Sequence, residues 1–573
     1  VAKITPEDNG YQTKRERLEK RVSSLETERS SWDTTNRDIA EYLLPGSDRF
    51  LLSDTNRGER KEQHILDDAG GESLSTLSAG LMSGMTSPAR PWFEIKLRDS
   101  DANKRQDVKE WTYDVTQIVQ DILNESNTYQ VLPLVYEDMG AFGGACDLLL
   151  PDQTGETVLH HTPIAIGSYC LAQDFKGRVN VMTRKLWMTV DQVVRQFGLE
   201  NVVRRTKDAY DRGNYDQWIE VCHVVEPRRV RDAQSGTNRN MPFLSCYFER
   251  GVEDEKVLRE SGFTHFPVLA PRWTVRGGNV YGTGPGRKAL GAIRQLQSEQ
   301  WAKSTGIHHK VEPALALPSS CKGQEVDANP GGRTFYDAMS PHGTIRPLFE
   351  SGIDLQPLLE DIQDVRARIQ RAFSADLFRM MSLVSDTTQR TAAEIAKRNE
   401  EQLVQLGPVY TRATDELLRP LIERAFEYAN AAGRLPPPPD DLIGQDLVIN
   451  FVSVLAQAQK MIGTSAMDRY VGSLQVVAQF KPDVLDKFDE DEWAEEYADR
   501  IGVPPRLVKS NEQVAEIRQA RAKAQLAQQQ SAMMAEQAKM QKDLASAQTS
   551  EPSALTDVMG GLQGYNYPTT NQA

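Results

Sequence analysis

Two helical stripes flanking a long Gly/Pro-punctuated excursion constrain this chain more than any other feature of its sequence. From Asp354 to Phe378, the residues Leu355, Leu358, Leu359, Ile362, Val365, Ile369, Phe373 and Leu377 recur every three or four positions. That spacing predicts a helix with one buried face, reaching roughly 35 Å at 1.5 Å per residue. Upstream, Lys288 to His309 carries Leu290, Ile293, Leu296 and Trp301 on roughly one stripe. Between them lie Pro313, Pro318, Pro330-Gly331-Gly332, Pro341 and Pro347, the signature of irregular chain. Two helices around such an excursion make a hairpin whose ends lie near each other. Copies of it packed side by side can close a head-to-tail ring.

The second stripe runs into Arg379-Met380-Met381-Ser382-Leu383-Val384-Ser385-Asp386. This stretch is read as a non-helical connector, and as a plain surface loop it would be more polar. The longest periodic segment follows, from Gln389 to about Asn430, with Ala392, Ile395, Leu406, Val409, Leu417, Leu421 and Ala425 on one face. Thr391 and Glu394 have the spacing of a capping box. Pro408 and Pro420 each remove a backbone donor and crowd the carbonyl four residues back, which predicts a kink at Gly407-Pro408.

The rest of the chain is mixed, and the fold class expected is α+β, predominantly helical. Lys14–Trp32, with Leu18, Val22 and Leu25, predicts an exposed amphipathic helix. Asp67–Met85, rich in glycine and serine, predicts a close-packed one ended by Thr86-Ser87-Pro88. Asp107–Ser126 and Thr189–Phe197 also read as helices. Between about Ala141 and Val275 the period shortens to that of strands, as in Val179–Leu186, Ile219–Val225 and Phe243–Glu249. Pro436 to Pro439 is a stiff break and a plausible domain boundary. Leu447–Gln479 reads as helical after one short strand-like run. Ser510–Ser546, without Pro or Gly, predicts a single long helix, and Thr549–Ala573 a disordered tail.

At 573 residues, length suggests about three to four domains' worth of material. Val1–Tyr11 is polar and lacks a signal peptide's apolar stretch, so a soluble protein made in the cytosol is expected. Five cysteines, Cys146, Cys170, Cys222, Cys246 and Cys321, are far apart and form no C-x-x-C pair, which argues against a disulfide framework or a zinc ribbon. The net charge of −14 argues against a protein that grips nucleic acid, but not against one that DNA slides past.

Catalytic and metal-binding patterns do not assemble, and no cofactor is expected. The adjacent pairs His160-His161 and His308-His309 point apart on either a strand or a helix. Gly277 to Lys288 invites a phosphate-loop reading, but Arg287 intervenes before Lys288, Ala289 replaces the Ser or Thr that holds magnesium, and Pro285 lacks a donor. A tight turn feeding a helix is the plainer reading. Asp67-Asp68 and Asp489-Glu490-Asp491-Glu492 read as solvated faces or helix starts.

Three ordered segments carry a resemblance. One is Phe263-Thr264-His265-Phe266-Pro267-Val268 through Pro271-Arg272-Trp273 to Tyr281-Gly282-Thr283-Gly284-Pro285-Gly286. Another is Thr391-Ala392-Ala393-Glu394-Ile395 through Arg398, Glu401 and Leu406-Gly407-Pro408. The third is Gly433-Arg434-Leu435-Pro436-Pro437-Pro438 leading to Phe451 and Leu455-Ala456-Gln457-Ala458-Gln459-Lys460. Together they resemble the portal proteins of tailed bacteriophages, the head-to-tail connectors, particularly of short-tailed T7-like phages.

The resemblance implies a non-enzymatic ring subunit at one vertex of the capsid, made in the host cytoplasm and built into the virion. Twelve copies would surround a channel through which double-stranded DNA is packaged and ejected without sequence specificity. It implies a wing over residues 1–284, stem helices at 285–310 and 353–378, and a clip at 311–352. A tunnel loop at 379–388, with Arg379 to Asp386, would touch DNA loosely. A kinked wing helix would follow at 389–440, then a crown at 441–509, a C-terminal helix at 510–548 with the potential to form a barrel, and the tail. Implied partners are the major capsid protein, the terminase large subunit, tail adaptor or gatekeeper proteins, and internal core proteins at the crown.

Overall fold

The computed structural model describes residues 14–50, 63–99, 102–152, 155–229, 237–251, 256–311, 355–383, 406–439, 447–452 and 511–546, together with the short pieces 231, 315–316, 346–347, 471, 473–474, 480, 488–491 and 493. The chain divides into two compact units rather than three or four, Val1–Ser100 with Trp111–Phe480, and Asp101–Glu110 with Lys481–Ala573. One large apolar cluster runs through most of the first unit, which is why its helices and sheets do not separate.

In chain order the elements are α1 (Lys14–Leu43), α2 (Ala69–Met85), β1 (Phe93–Leu97), α3 (Gln106–Glu125), α4 (Thr128–Phe142), β2 (Asp147–Pro151), β3 (Leu159–Pro163), β4 (Tyr169–Gln173) and β5 (Val179–Thr189). Then come α5 (Val190–Phe197), α6 (Arg204–Asp211), β6 (Trp218–Pro227), β7 (Phe243–Glu249), β8 (Arg259–Phe263), β9 (Val268–Leu269), α7 (Pro285–Val311), β10 (Leu315–Ala316) and β11 (Arg346–Pro347). The last are α8 (Gln356–Ala372), α9 (Ala375–Leu383), α10 (Arg419–Ala431), β12 (Leu447–Phe451) and α11 (Asn511–Ser546). The mixture of helix and strand agrees with an α+β class.

Strands β4 to β8 form an antiparallel meander in sequence order. Its alternation puts Cys222, Val224, Leu244, Cys246 and Phe248 on one face, where Leu18 and Val22 of α1 cover them. Thus α1, expected to be exposed, lies across a sheet. Ion pairs fasten its polar flanks. Arg250 forks onto both oxygens of Glu26 at 2.6 Å, and Lys185 reaches the same carboxylate at 2.9 Å. Burial works to raise the Glu26 carboxyl, but these two cations hold it below the usual range. Further along α1, Arg29 is buried between the rings of Tyr169 and Tyr281, at 4.4 and 4.6 Å, and donates to Asp33 at 2.9 Å.

A second sheet has the order β3-β2-β9, and β1 pairs with β12 from Phe93↔Phe451 to Leu97↔Leu447. The chain beyond the proline run therefore returns to the body, and Trp111 Nε1 donates to the Pro436 carbonyl at 3.2 Å. In the second unit, Arg518 of α11 forks onto Asp491 at 2.6 and 2.7 Å. Along α11, Leu526, Met533, Met534 and Met540 are exposed.

Candidate functional site

The α7–α8 hairpin is the feature the sequence reading rests on, and the body holds only its first half. Ile293 and Leu296 of α7, with Ile362, Val365 and Ile369 of α8, are buried in the main core. Each such side chain contributes about 1.5–3 kcal/mol relative to an exposed one. The helices run antiparallel. Arg368 donates to Gln295 at 3.3 Å, Glu299 meets Asp361, and Gly306 lies beside Leu355.

A polar latch ties this half to the start of α2. Asp67 Oδ2 accepts from Gln300 at 2.6 Å and from Arg366 at 2.7 and 3.0 Å, while Oδ1 accepts from the Ala69 amide at 3.1 Å. Gln297 Oε1 in turn accepts from the amides of Leu66 and Asp67 at 2.7 and 3.0 Å. Burial acts to raise the Asp67 carboxyl, but its hydrogen bond with Arg366, the Ala69 amide and Gln300 hold it below its ordinary value. By sequence Asp67-Asp68 suggests a solvated helix start, whereas Asp67 is tied to Gln300 and Arg366. Its partners lie more than 200 residues away, so nothing local marked it.

The stripe over 354–378 is not one helix. It breaks at Phe373-Ser374, where Ser374 takes φ 55°, the left-handed region that non-glycine residues seldom enter. The chain then re-enters a helix as α9. Arg379, Met380, Met381, Ser382 and Leu383, read as a non-helical connector, are helical in α9, which corrects that expectation. The break restarts the helix earlier, and Leu377 and Phe378 remain buried. Val384, Ser385 and Asp386 lie outside the described residues. Phe378 packs flat against Gly80 of α2, where an added methyl would sit 2.1 Å from a ring carbon, so only glycine fits there. Arg379 donates to Glu72 at 2.6 Å across a solvent-exposed surface.

Gly407 and Pro408 sit in helix at 406–413, and the chain before 406 lies outside the described residues. The distortion within the described part is a π-helical turn at Thr414–Leu418, just before Pro420. Pro420 cannot donate to the carbonyl of Glu416 and crowds it, and the wider turn relieves both. Glu416 uses the displaced position to hold Arg272, accepting from its amide at 2.9 Å and its side chain at 2.6 and 3.1 Å.

The glycines at 282–286 are packing residues. An added methyl on Gly284 would stand 2.6 Å from the Gly140 carbonyl oxygen, and one on Gly286 2.4 Å from that of Ala141. Backbone here crosses the end of α4 at close range as the chain turns into α7, and only glycine leaves room for it.

His161 stands between Asp147 at 2.5 Å and Thr128 at 3.0 Å, an arrangement reminiscent of a hydrolase relay. All three are buried, so no substrate reaches them, and Asn127 pins the His161 backbone at 2.9 Å from both sides. His160 points out on the opposite face of β3. Burial pushes the Cys170 thiol up to about 11, and those of Cys222 and Cys246 up to about 12, the reverse of an activated nucleophile. Among the described residues no group of three or more His, Cys, Asp or Glu side chains could hold a metal. No described helix is long and apolar enough to cross a membrane.

The chain matches the family described as bacteriophage head to tail connecting protein over residues 15–508. It is 45% identical over 554 residues to a probable portal protein of Bordetella phage BPP-1, covering 97% of this chain and 99% of the relative. It is 41% identical over 549 residues to the portal protein of Salmonella phage epsilon15, covering 96% and 98%. The portal protein of Escherichia phage T7 is 22% identical over 452 residues, 73% of this chain and 75% of the relative.

Proposed function

This chain belongs to the bacteriophage head-to-tail connecting family, and from that premise we propose that copies of it form a twelve-membered portal ring around a DNA channel. It is a structural subunit of the head–tail junction, not an enzyme. One observation carries the detailed reading. A helical hairpin is latched to the body by Asp67, whereas Trp301, Ile307 and Val311 of α7 and Leu359 of α8 are exposed.

On this reading α7 and α8 are the stem, within residues 285–310 and 353–378. Residues 311–352 are the clip that docks the terminase large subunit and later the tail adaptors. The end of α9 and the residues to 388 face the channel, where DNA slides past with little grip. Residues 389–440 span the wing and bend near Gly407-Pro408, so the mixed body over 1–284 meets the major capsid protein. Residues 441–509 form the crown, beside internal core proteins. The exposed methionine and leucine side chains of α11 line the contacts of a helical barrel over 510–548. A twelve-mer would carry a net charge of roughly −168, from −14 per chain, which disfavours tight binding of phosphate.

Electron microscopy of the purified protein, with its solution mass, tests this. Twelve-fold rings with a central hole are expected, near twelve times 64.2 kDa. Monomers or open filaments at all protein concentrations overturn it.

A further inference from the structure

We infer that one end of the β4–β8 meander is a binding surface for the phosphate backbone of double-stranded DNA. It is made by the β4–β5 turn, the β6–β7 loop and the neighbouring turn at 274–279. It involves neither the hairpin nor α9 and does not require a ring.

The strand order brings alternate connections of the meander to the same end, and the two ends differ in charge. At one end, residues 174–178, 228–242 and 274–279 carry seven cations against two acids, Asp174 and Asp232. At the other, residues 190–217 and 250–258 carry seven cations against eight acids. The first end is thus strongly basic in a chain whose net charge is −14.

The basic end is also firmly built. Buried Arg272 joins two of its turns, donating to the Gly177 carbonyl at 2.8 Å, to the Val280 carbonyl at 3.2 Å and to Gln173 at 3.1 Å. Gln173 Nε2 donates to the Gly278 carbonyl at 2.5 Å. Arg228 fixes the base of the β6–β7 loop, donating to Glu260 at 2.9 Å and to the carbonyls of Met241 and Ser261 at 3.1 Å. Asp174 is engaged within its own turn, where Oδ1 accepts from the amides of Lys176 and Arg178 at 2.8 and 2.9 Å. The remaining cations, Lys176, Arg178, Arg229, Arg231, Arg239 and Arg276, are exposed, and none has an acidic partner among the described residues. Phe175 at the tip of the β4–β5 turn is 94% exposed, so no described residue covers this end.

The chemistry of the surface selects its ligand. Five of the six exposed cations are arginines, whose planar guanidinium matches phosphate oxygens two at a time. Strands about 4.8 Å apart place the β4–β5 and β6–β7 connections about 10 Å from each other. That distance is about three phosphates along one strand of a duplex. Phe175 is the one aromatic residue in the three connections, whereas single strands need a series of rings to stack on. The acidic remainder of the chain does not cancel the patch, because charges more than about 8–10 Å away are screened at physiological salt.

Covalently closed circular duplex DNA cannot thread a closed ring, so its binding by the full chain reports an outer surface. Wild type should bind closed circles at low salt. The logarithm of its affinity should fall with the logarithm of salt with a slope of about −5, from about 0.9 for each of six phosphates. The Arg178→Gln/Arg229→Gln/Arg276→Gln variant should keep its circular dichroism spectrum, lose about 3 from that slope and bind at least about tenfold more weakly. If that variant misfolds, Lys176→Gln/Arg239→Gln decides, with a slope lower by about 2. Wild type that binds linear duplex but not closed circles overturns the inference and leaves threading as the mode of DNA contact. Closed circles bound equally by wild type and a folded variant also overturn it. Failure to bind either DNA, with poly-glutamate bound by wild type and lost in the variant, overturns it and assigns the surface to an acidic protein.

Discussion

The two halves of α7 share one unbroken helix and opposite surroundings. Up to Gln300 its stripe is buried against α2 and α8, and the buried amides of Gln297 and Gln300 are hydrogen-bonded to the Asp67 segment. From Trp301 onward large apolar side chains face water and the cations lack acidic partners in the described part of the chain. The first half obeys the rules of a monomer's interior, where buried polar groups are paired. The second obeys those of an interface awaiting its partner. Stability of the subunit should therefore reside in the first half and assembly in the second.

The largest expected effect breaks the first half. Leu296 is fully buried in the main cluster, and Leu296→Ala should cost about 2–5 kcal/mol of subunit stability. Chemical denaturation of the subunit checks this. A loss below about 1 kcal/mol would mean that the proximal half is not a core, because such a value belongs to partly exposed sites.

How much of this contrast was legible in the sequence depends on range. The buried stripes of α7 and α8 are legible in part because helical periodicity is local, and so is the close packing of the glycine-rich α2, but Trp301 and Leu359, which share the spacing of those stripes, are exposed. The break at Ser374 could not be read, since Ile369, Phe373 and Leu377 keep their spacing across it and all three are buried. Only tertiary packing selects a left-handed serine there. The pairing of β1 with β12 joins residues about 350 positions apart, and the Asp67 latch joins partners more than 200 apart, so neither leaves a local trace. Pro420 did carry a visible signal of helix distortion. The Gly407-Pro408 pair is the stronger kink signal in the sequence, whereas the described π-turn sits before Pro420.

The next effect concerns the latch. Asp67→Ala removes a nearly buried carboxylate and leaves the Gln300 amide without its acceptor. The expected cost is about 1.5–3 kcal/mol, the range for hydrogen bonds to a charged group. The Arg366 end, nearly half exposed, adds little because solvent screens it. The double variant Asp67→Ala/Leu296→Ala should show coupling, since both loosen the same seam. Strict additivity would separate the latch from the core.

Acid sharpens the same comparison. The Asp67 carboxyl is held below its ordinary value in the folded chain, so the unfolded chain binds its proton first as pH falls. The stabilisation is complete above the ordinary carboxylate value of about 4 and disappears as pH drops through the lower folded value. Glu26 and Glu260 are shifted in the same direction. Melting temperatures measured between pH 5 and 2.5 should therefore fall less steeply for Asp67→Asn than for wild type. Equal slopes would show that the latch contributes nothing to acid sensitivity.

The smallest effect is expected at the far end of the same helix. Val311 is 72% exposed at the last position of α7, so truncation to alanine removes little buried surface. It also exchanges a β-branched residue for the best helix former, a gain of at most about 0.5 kcal/mol that fades toward a fraying terminus. Val311→Ala should leave the stability of the unassembled subunit within about 0.5 kcal/mol of wild type, with any change favourable. Leu296→Ala, about four helical turns nearer the start of α7, marks the opposite extreme on one continuous element. A destabilisation by Val311→Ala comparable to that of Leu296→Ala would mean that the distal half is already buried within a single subunit. The division of α7 into a folded half and an assembling half would then be wrong.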